Sequence, residues 1–395
     1  MSAAYARRVT IIVLDGVGCG AAPDADAYGD VGANSLGNTA AAIGGMALPN
    51  LGRLGLGYLT AIQGVPPDPT PTGLYGRLRE ASNGKDTVTG HWEMMGIISE
   101  RAQPVFPHGF PPEVLADFER ISGREVLGNK PASGTEIIAK LGAEHVRTGK
   151  PIVYTSADSV LQVAAHEEVI PLADLYRICE EMRDALTGEY AVGRVIARPF
   201  VGVRGAYTRD NEGRRDWALQ PPSPTALDVI TAAGLPVRGV GKIIDIFAGR
   251  GITSNLHALN NEGAIAETLH LLRQAERGLI FANLIEFDMV YGHRKDPRGY
   301  ANSLATFDAR LPEILALLGP EDALFITGDH GVDPSPMIAH TDHTREYVPL
   351  LAQGYRLPPG TNIGTRSSFA DLGATVLDLF GLPPLPAGAS FAAGS

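Results

Sequence analysis

The sequence predicts an α/β protein, a layered sheet with helices between its strands, interrupted by a smaller α+β domain. Three observations carry this expectation. In both flanking parts of the chain, short β-rich apolar runs alternate with longer amphipathic stretches, the pattern of buried strands joined by helices. Two proline clusters, Gln103-Pro-Val-Phe-Pro-His-Gly-Phe-Pro-Pro112 and Gln220-Pro-Pro-Ser-Pro224, punctuate the chain. Proline breaks helices and central strands, so such clusters mark boundaries. The length, 395 residues, suits two domains at roughly 100–200 residues each. The expected division is a core made of 1–101 and 223–395, with an inserted domain at 102–222.

Within the core, Val9–Leu14, Leu279–Phe287 and Ala323–Thr327 read as buried strands. Ala264–Arg277 and Leu304–Leu318 read as amphipathic helices. The insert mixes strands at Ile152–Thr155 and Val192–Ala197 with helices at Pro112–Ile121 and Ala173–Leu186, hence α+β. A third proline cluster, Val65–Thr72, reads as a surface loop.

Composition bounds the function. Apolar residues make up 44% of the chain, enough for a large core, so disordered and fibrous classes are excluded. Lys and Arg number 33 against 44 Asp and Glu, a net charge of −11. Such a chain repels polyanions, so neither nucleic acid nor an anionic membrane is expected as a partner. A site for an anionic substrate must gather its own positive charge. The 2 cysteines, Cys19 and Cys179, make no disulfide framework and point to a reducing compartment. The apolar run Val9–Leu14 is too short for a signal peptide or a membrane span. A soluble cytoplasmic protein is expected.

Three core strands run into an aspartate: Asp15, Asp288 and Asp329, the last followed at once by His330. In α/β sheets ligands bind outside the carboxyl ends of the strands. His293 lies five residues after Asp288, and His343 thirteen after His330. Asp with His, mixed oxygen and nitrogen donors, suits zinc, manganese or iron better than calcium. Six donors exceed what one ion with an open position needs, so two ions are expected, a device of phosphoryl transfer. An aspartate closing a strand is also a common helix cap. It is the threefold recurrence, with histidines close behind, that favours metal. His108, His257 and His270 stand alone and read as structural.

The segment Asn83-Gly-Lys-Asp-Thr-Val-Thr-Gly-His-Trp-Glu93 places Thr87 and Thr89 between two glycines ahead of a helical stretch. One threonine can cap that helix; one can be a nucleophile if a base or a metal takes its proton. Taken alone, the cap is the simpler reading. Gly16-Val-Gly-Cys-Gly-Ala21 fits a dinucleotide fingerprint after a strand, but Pro23 and the run Asp24–Asp30 stand where its helix should run. It is read as a chance match, with Cys19 a small filler.

Longer stretches carry a resemblance: Asp15-Gly-Val-Gly-Cys-Gly, Gly-Lys-Asp-Thr-Val-Thr-Gly-His-Trp-Glu-Met-Met-Gly96, Gly128-Asn-Lys-Pro-Ala-Ser-Gly-Thr-Glu136, Tyr154-Thr-Ser-Ala-Asp-Ser-Val160 and Thr341-Asp-His-Thr-Arg-Glu-Tyr-Val-Pro349. Over essentially its whole length the chain resembles the bacterial phosphopentomutases of the alkaline phosphatase superfamily. The resemblance implies a three-layer α/β/α core with an inserted cap. It implies interconversion of ribose 1-phosphate and ribose 5-phosphate, and of the 2-deoxyribose equivalents, through a phosphothreonine and a 1,5-bisphosphate. Two manganese ions are implied, with other divalent ions possible, and a sugar 1,5- or 1,6-bisphosphate as phosphorylating activator. Thr87 is then the nucleophile. One ion falls to Asp15, Asp329 and His330 with Thr87, the other to Asp288, His293 and His343. Ser156, Asp158, Val160, Arg194, Ile196, Arg209 and Lys242 would hold the sugar phosphate, and no oligomer is required for the site. The stretch VDPSPMIAH, between Gly331 and Thr341, is a residue longer than the family pattern and ends in His340. His343 is preferred as ligand because Asp-His-Thr-Arg-Glu matches; His340 is the fallback. The alternatives are a metal-dependent phosphatase and an enzyme like the cofactor-independent phosphoglycerate mutases.

Overall fold

The structure is a computed structural model in which residues 5–156 and 158–394 are described. The chain divides into two compact units, residues 1–102 with 221–395, and residues 103–220.

In the first unit the described residues form an eight-stranded sheet. Its order is Ser254–Leu256, Val237–Val240, Gly278–Leu284, Arg8–Leu14, Asp322–Thr327, Val348–Gly354, Leu74–Leu78, Asn362–Arg366. Val348–Gly354 is antiparallel to both of its neighbours, and the other pairings are parallel. Every residue of Arg8–Leu14, Gly278–Leu284 and Asp322–Thr327 is buried. Successive side chains of a strand point to opposite faces, so helices must cover both. On one face Ile12, Leu14, Ile280, Leu284, Leu324 and Ile326 pack into a cluster with the helices Ser35–Ile43, Asn261–Gln274 and Pro297–Leu315. On the other face the ring of Phe281 lies 5.8 Å from His91 and 6.0 Å from Phe247. Three layers result.

The helices start where local chemistry lets them. The Asn260 side chain accepts from Gly263 N to open Asn261–Gln274, and Asp296 accepts from Gly299 N, with Pro297 at the first position, to open Pro297–Leu315. Both helices are the expected ones, shifted toward their caps. One expectation needs correcting. The strand expected at Leu279–Phe287 ends at Leu284, and a π-helical turn, Phe287–Gly292, follows. A buried apolar run gives no periodicity by which to tell strand from helix, which is why Leu-Ile-Glu-Phe read as more strand.

In the second unit the described residues form a six-stranded sheet in the order Leu127–Pro131, Ile152–Thr155, Val160–His166, Arg194–Val203, Ala206–Arg209, with Arg215–Ala218 also paired to Arg194–Val203. The strand expected at Val192–Ala197 therefore begins two residues later and runs farther. Val153, Leu161, Val163 and Val195 pack against the helices Pro112–Ser122 and Leu172–Ala185. Tyr154, Ala164 and Phe200 pack on the opposite face against Ile137 and Ile138 of the helix Gly134–Thr148.

Phe281 is fully buried. Phe281→Ala should lower the unfolding free energy of the first unit by about 3–5 kcal/mol. The check is urea unfolding followed by Trp92 fluorescence in a Trp217→Phe background; a loss under about 1 kcal/mol would contradict the packing described.

Candidate metal centre and active site

The strands Gly278–Leu284, Arg8–Leu14 and Asp322–Thr327 are adjacent and parallel, with Val13 opposite both Asn283 and Thr327. Their carboxyl ends are level, so residues just beyond them meet at one edge. Asp15 follows the central strand directly, Asp329 follows Thr327 by two residues, and Asp288 stands on the π-helical turn. That turn brings residues five apart into line: His293 N donates to Asp288 O at 3.2 Å, and both side chains face the same way.

Asp288 Oδ1 lies 3.2 Å from His293 Nε2 and 3.2 Å from His343 Nε2, and the two imidazole nitrogens are 3.2 Å apart. Donors bonded at about 2.0–2.1 Å to one tetrahedral ion stand about 3.3 Å from each other. Asp288 Oδ1 is buried and meets hydrogen-bond geometry with neither imidazole, as ion ligands would. Beside this triad, His330 Nε2 lies 3.3 Å from Asp15 Oδ1 and 3.5 Å from Asp329 Oδ2. Thr87 Oγ1 completes that group, 3.4 Å from Asp15 Oδ1 and 3.2 Å from His330 Nε2. The two groups are contiguous. Asp288 also lies within reach of Asp15 and His330, and the rings of His330 and His343 stack with centroids 3.9 Å apart. These donor sets suit divalent metal.

The carboxylates of Asp15 and Asp329 are held by their other contacts. Asn283 Nδ2 donates to Asp15 Oδ2 at 2.7 Å. Gly16 N and His330 N donate to Asp329 Oδ1 at 3.0 and 3.1 Å. His91 Nδ1 lies 3.2 Å from Asp329 Oδ2 and 2.8 Å from Thr87 O. Burial, reinforced by the charge of Asp329, raises the pKa of Asp15. Burial pushes Asp288 the same way, but the His293 and His343 imidazoles hold it far below the usual carboxylate range. The Asp288 carboxylate beside it pushes His293 up to about 9. Burial works against a proton on His330, yet Asp329 and Asp15 hold it well above its ordinary value. The field favours positive charge, which protons or a divalent cation can supply.

The two threonines separate cleanly. The helix Thr87–Met94 is capped by Asp86, whose side chain accepts from Thr89 N at 3.0 Å and from Thr89 Oγ1 at 2.6 Å. Neither threonine is the cap. Thr89 is committed to Asp86, while Thr87 heads the helix with its hydroxyl among the donors. The two alternatives for the histidine ligand separate as well. His343 joins Asp288 and His293, whereas His340 Nε2 lies 2.8 Å from Asp30 Oδ1. In the loop after the first strand, Gly18 has no room for a side chain: a Cβ there would come within 2.3 Å of the buried Glu346 carboxylate. Cys19 is buried, and burial pushes its thiol pKa up.

Most of the expected sugar-phosphate residues lie in the second unit. Val160 pairs with Arg194, and Arg209 pairs with Phe200. By alternation along the strand, Val160, Arg194, Ile196 and Arg209 share the face that carries Phe200. Ser156 and Asp158 belong to the preceding loop, where Asp158 N donates to Ser156 Oγ at 3.3 Å. Arg194 turns toward Asp216, 3.7 Å away, which pairs with Ile196. A Cβ on Gly134 would lie 2.7 Å from Tyr154 Oη and 3.7 Å from an Arg209 guanidinium nitrogen, so Arg209 reaches toward the start of the helix Gly134–Thr148. Lys242 belongs to the first unit, where it is exposed just beyond the strand Val237–Val240.

Several residues escaped the sequence reading. His91, Asn283, Arg345 and Glu93 hold donors or the loops that bear them, and Arg198 shares the arginine-bearing face, its Nε donating to Gln162 Oε1 at 3.1 Å. His91 had a usable signal: it stands four residues after Thr87, one turn along the same helix face.

Comparison with known proteins identifies the family. A family model of the metalloenzyme superfamily matches residues 7–384. A phosphopentomutase of Desulfitobacterium hafniense is 56% identical over 385 residues, 98% of this chain and 98% of its own. One from Symbiobacterium thermophilum is 57% identical over 391 residues, again 98% of each. Among solved structures, a Leishmania mexicana phosphoglycerate mutase matches with a TM-score of 0.50 at 12% identity, covering 99% of this chain and 98% of that one, a likeness of fold alone. Identity above half over nearly the full length decides the matter: the chain belongs to the phosphopentomutase family of the metalloenzyme superfamily.

Proposed function

We propose that this chain is a cytoplasmic isomerase that interconverts ribose 1-phosphate and ribose 5-phosphate, and the 2-deoxyribose equivalents. The observation that carries the reading is the Thr87 hydroxyl, set among Asp15 and His330 while Thr89 is bonded to Asp86. Thr87 carries a phosphoryl group, first placed there by a sugar 1,5- or 1,6-bisphosphate, at a helix end where backbone dipoles favour an anion. The sugar hydroxyl takes that phosphoryl group, giving the 1,5-bisphosphate. After the intermediate turns round, Thr87 recovers a phosphoryl group from the other end.

Two manganese ions fit the donor sets, one with Asp15, Asp329, His330 and Thr87, the other with Asp288, His293 and His343. When bound they would neutralise phosphoryl oxygens and lower the pKa of the threonine hydroxyl. Arg194 and Arg209, with Ser156, Asp158, Val160, Ile196 and Lys242, hold the sugar and its non-reacting phosphate. Arginine suits that task by its planar fork of donors. Residues 103–220 act as the cap that keeps water from the phosphothreonine.

Three outcomes are expected. Thr87→Ala should lower kcat by about a thousandfold or more, whereas Thr89→Ala should stay within about tenfold of wild type, since only the former removes the group that carries the phosphoryl. Substantial turnover by Thr87→Ala sinks the nucleophile assignment. Chelation should inactivate the enzyme reversibly, with manganese restoring it best. His343→Ala should lose metal on dialysis more readily than His340→Ala, and the reverse order moves the ligand to His340. Finally, wild type should isomerise ribose 5-phosphate with little inorganic phosphate released, and Arg209→Ala should lose a larger fraction to hydrolysis as its rate falls. Phosphate release matching substrate loss in the wild type would leave a phosphatase in place of a mutase.

A further inference from the structure

We infer that Arg345 is a positioning residue that ties the loop delivering Thr87 to the segment delivering His343. This rests on the functional reading above. Residues 79–86 connect the strand Leu74–Leu78 to the helix that Thr87 heads, and Arg345 lies two residues after His343. The Arg345 side chain is 2% exposed. Its Nη1 donates to Glu80 Oε2 at 2.7 Å, to Ser82 O at 2.9 Å and to Gly84 O at 2.6 Å. Its Nη2 donates to Glu80 O at 3.0 Å and to Asp24 Oδ2 at 3.0 Å, and Nε lies 3.2 Å from the same oxygen. The guanidinium also sits over the ring of Tyr28, 5.0 Å from its centre. One cation thus holds three alternate carbonyls of a loop that has no ladder of its own.

The other side of the loop is held by a second buried charge. Glu93, on the helix of Thr87, accepts from Ala81 N at 2.9 Å and from Ser82 N at 2.7 Å. It also accepts from Ser368 Oγ and Phe369 N, at 2.7 and 2.9 Å. Three of the loop's carbonyls go to Arg345 and two of its amides to Glu93, so its path is held from both sides. Beyond Gly84 the loop is tied once more to the His343 segment: Lys85 Nζ lies 3.1 Å from Asp30 Oδ2 and 3.4 Å from Asp342 Oδ2, and Asp30 Oδ2 accepts from Arg345 N at 2.7 Å. Lysine cannot replace Arg345, because an ammonium has three N–H donors from one point where the guanidinium has five in a fixed fork.

The test uses Arg345→Lys and Asp24→Asn in the full chain, loaded with manganese. Asp24 is 46% exposed at its side chain, so its substitution leaves the fold intact. A displacement of the nucleophile by about 1 Å can cost about a hundredfold in rate. For Arg345→Lys the expected result is a fall of that size in kcat. KM and metal content after dialysis should be unchanged, and backbone amides of residues 80–87 should exchange faster. Asp24→Asn should show the same pattern at about a tenth of the size. The inference is overturned if Arg345→Lys keeps kcat within twofold, or if its rate falls only in proportion to lost metal. Should Arg345→Lys fail to fold, unchanged kcat and exchange in Asp24→Asn overturn it alone. Amide exchange needs no turnover, so a wild type that fails to isomerise ribose 5-phosphate refutes the functional reading without touching the loop result.

Discussion

The carboxylates of Asp15, Asp288 and Asp329 are buried together beyond the ends of three adjacent strands, and like charges this close are costly to hold in a protein interior. Much of the first unit answers that constraint. Asp15 and Asp329 each give one oxygen to fixed donors and turn the other toward the cluster. Asn283 comes from the neighbouring strand and Gly16 from the turn after the central strand, while His91, from the helix of Thr87, stands beside the second oxygen of Asp329. The parallel sheet makes the crowding possible because it ends three chains at one level. The histidines then supply nitrogen donors at spacings that match a common cation.

Much of this was legible in the sequence, for physical reasons. Parallel strands buried on both faces must be apolar throughout, so the segments ending at Leu14 and Thr327 stood out, and with them Asp15, Asp329 and His330. Asp288 closes an apolar run that outlasts its strand, since a π-turn leaves such a run unbroken. Thr87 could not be told from Thr89 by composition, because only the Asp86 side chain, folded over the helix end, distinguishes them. Arg345 and Glu93 were hidden for a deeper reason. Many of their partners are backbone atoms, Glu80 O, Ser82 O and Gly84 O for Arg345 and Ala81 N, Ser82 N and Phe369 N for Glu93, and a backbone group leaves no trace in the identity of its residue.

The alkaline phosphatase-like α/β core is acidic at its centre, and the chain as a whole carries −11. Against that balance, Arg194, Arg198 and Arg209 are spaced on one face of the second unit's sheet, with Arg214 bonded to Asp216 at 2.8 and 2.7 Å. Local concentration of charge of one sign attracts an anion that the molecule as a whole repels. The acidic composition and a phosphorylated substrate are therefore compatible.

The order of strands in the first sheet has a consequence for how the chain is made. Arg8–Leu14, synthesised first, finds its two neighbours only at Gly278–Leu284 and Asp322–Thr327, and Leu74–Leu78 must wait for Val348–Gly354. Residues 103–220, by contrast, are continuous and hold a complete sheet. At about 5–20 residues per second, the ribosome delivers the missing strands roughly ten seconds or more after the first has emerged. During that interval an apolar strand and its edges lack partners, while the strands of the inserted segment find theirs within the segment. A chaperone acting on this nascent chain would find its binding site in the strand Arg8–Leu14, well before any residue of the insert has left the ribosome.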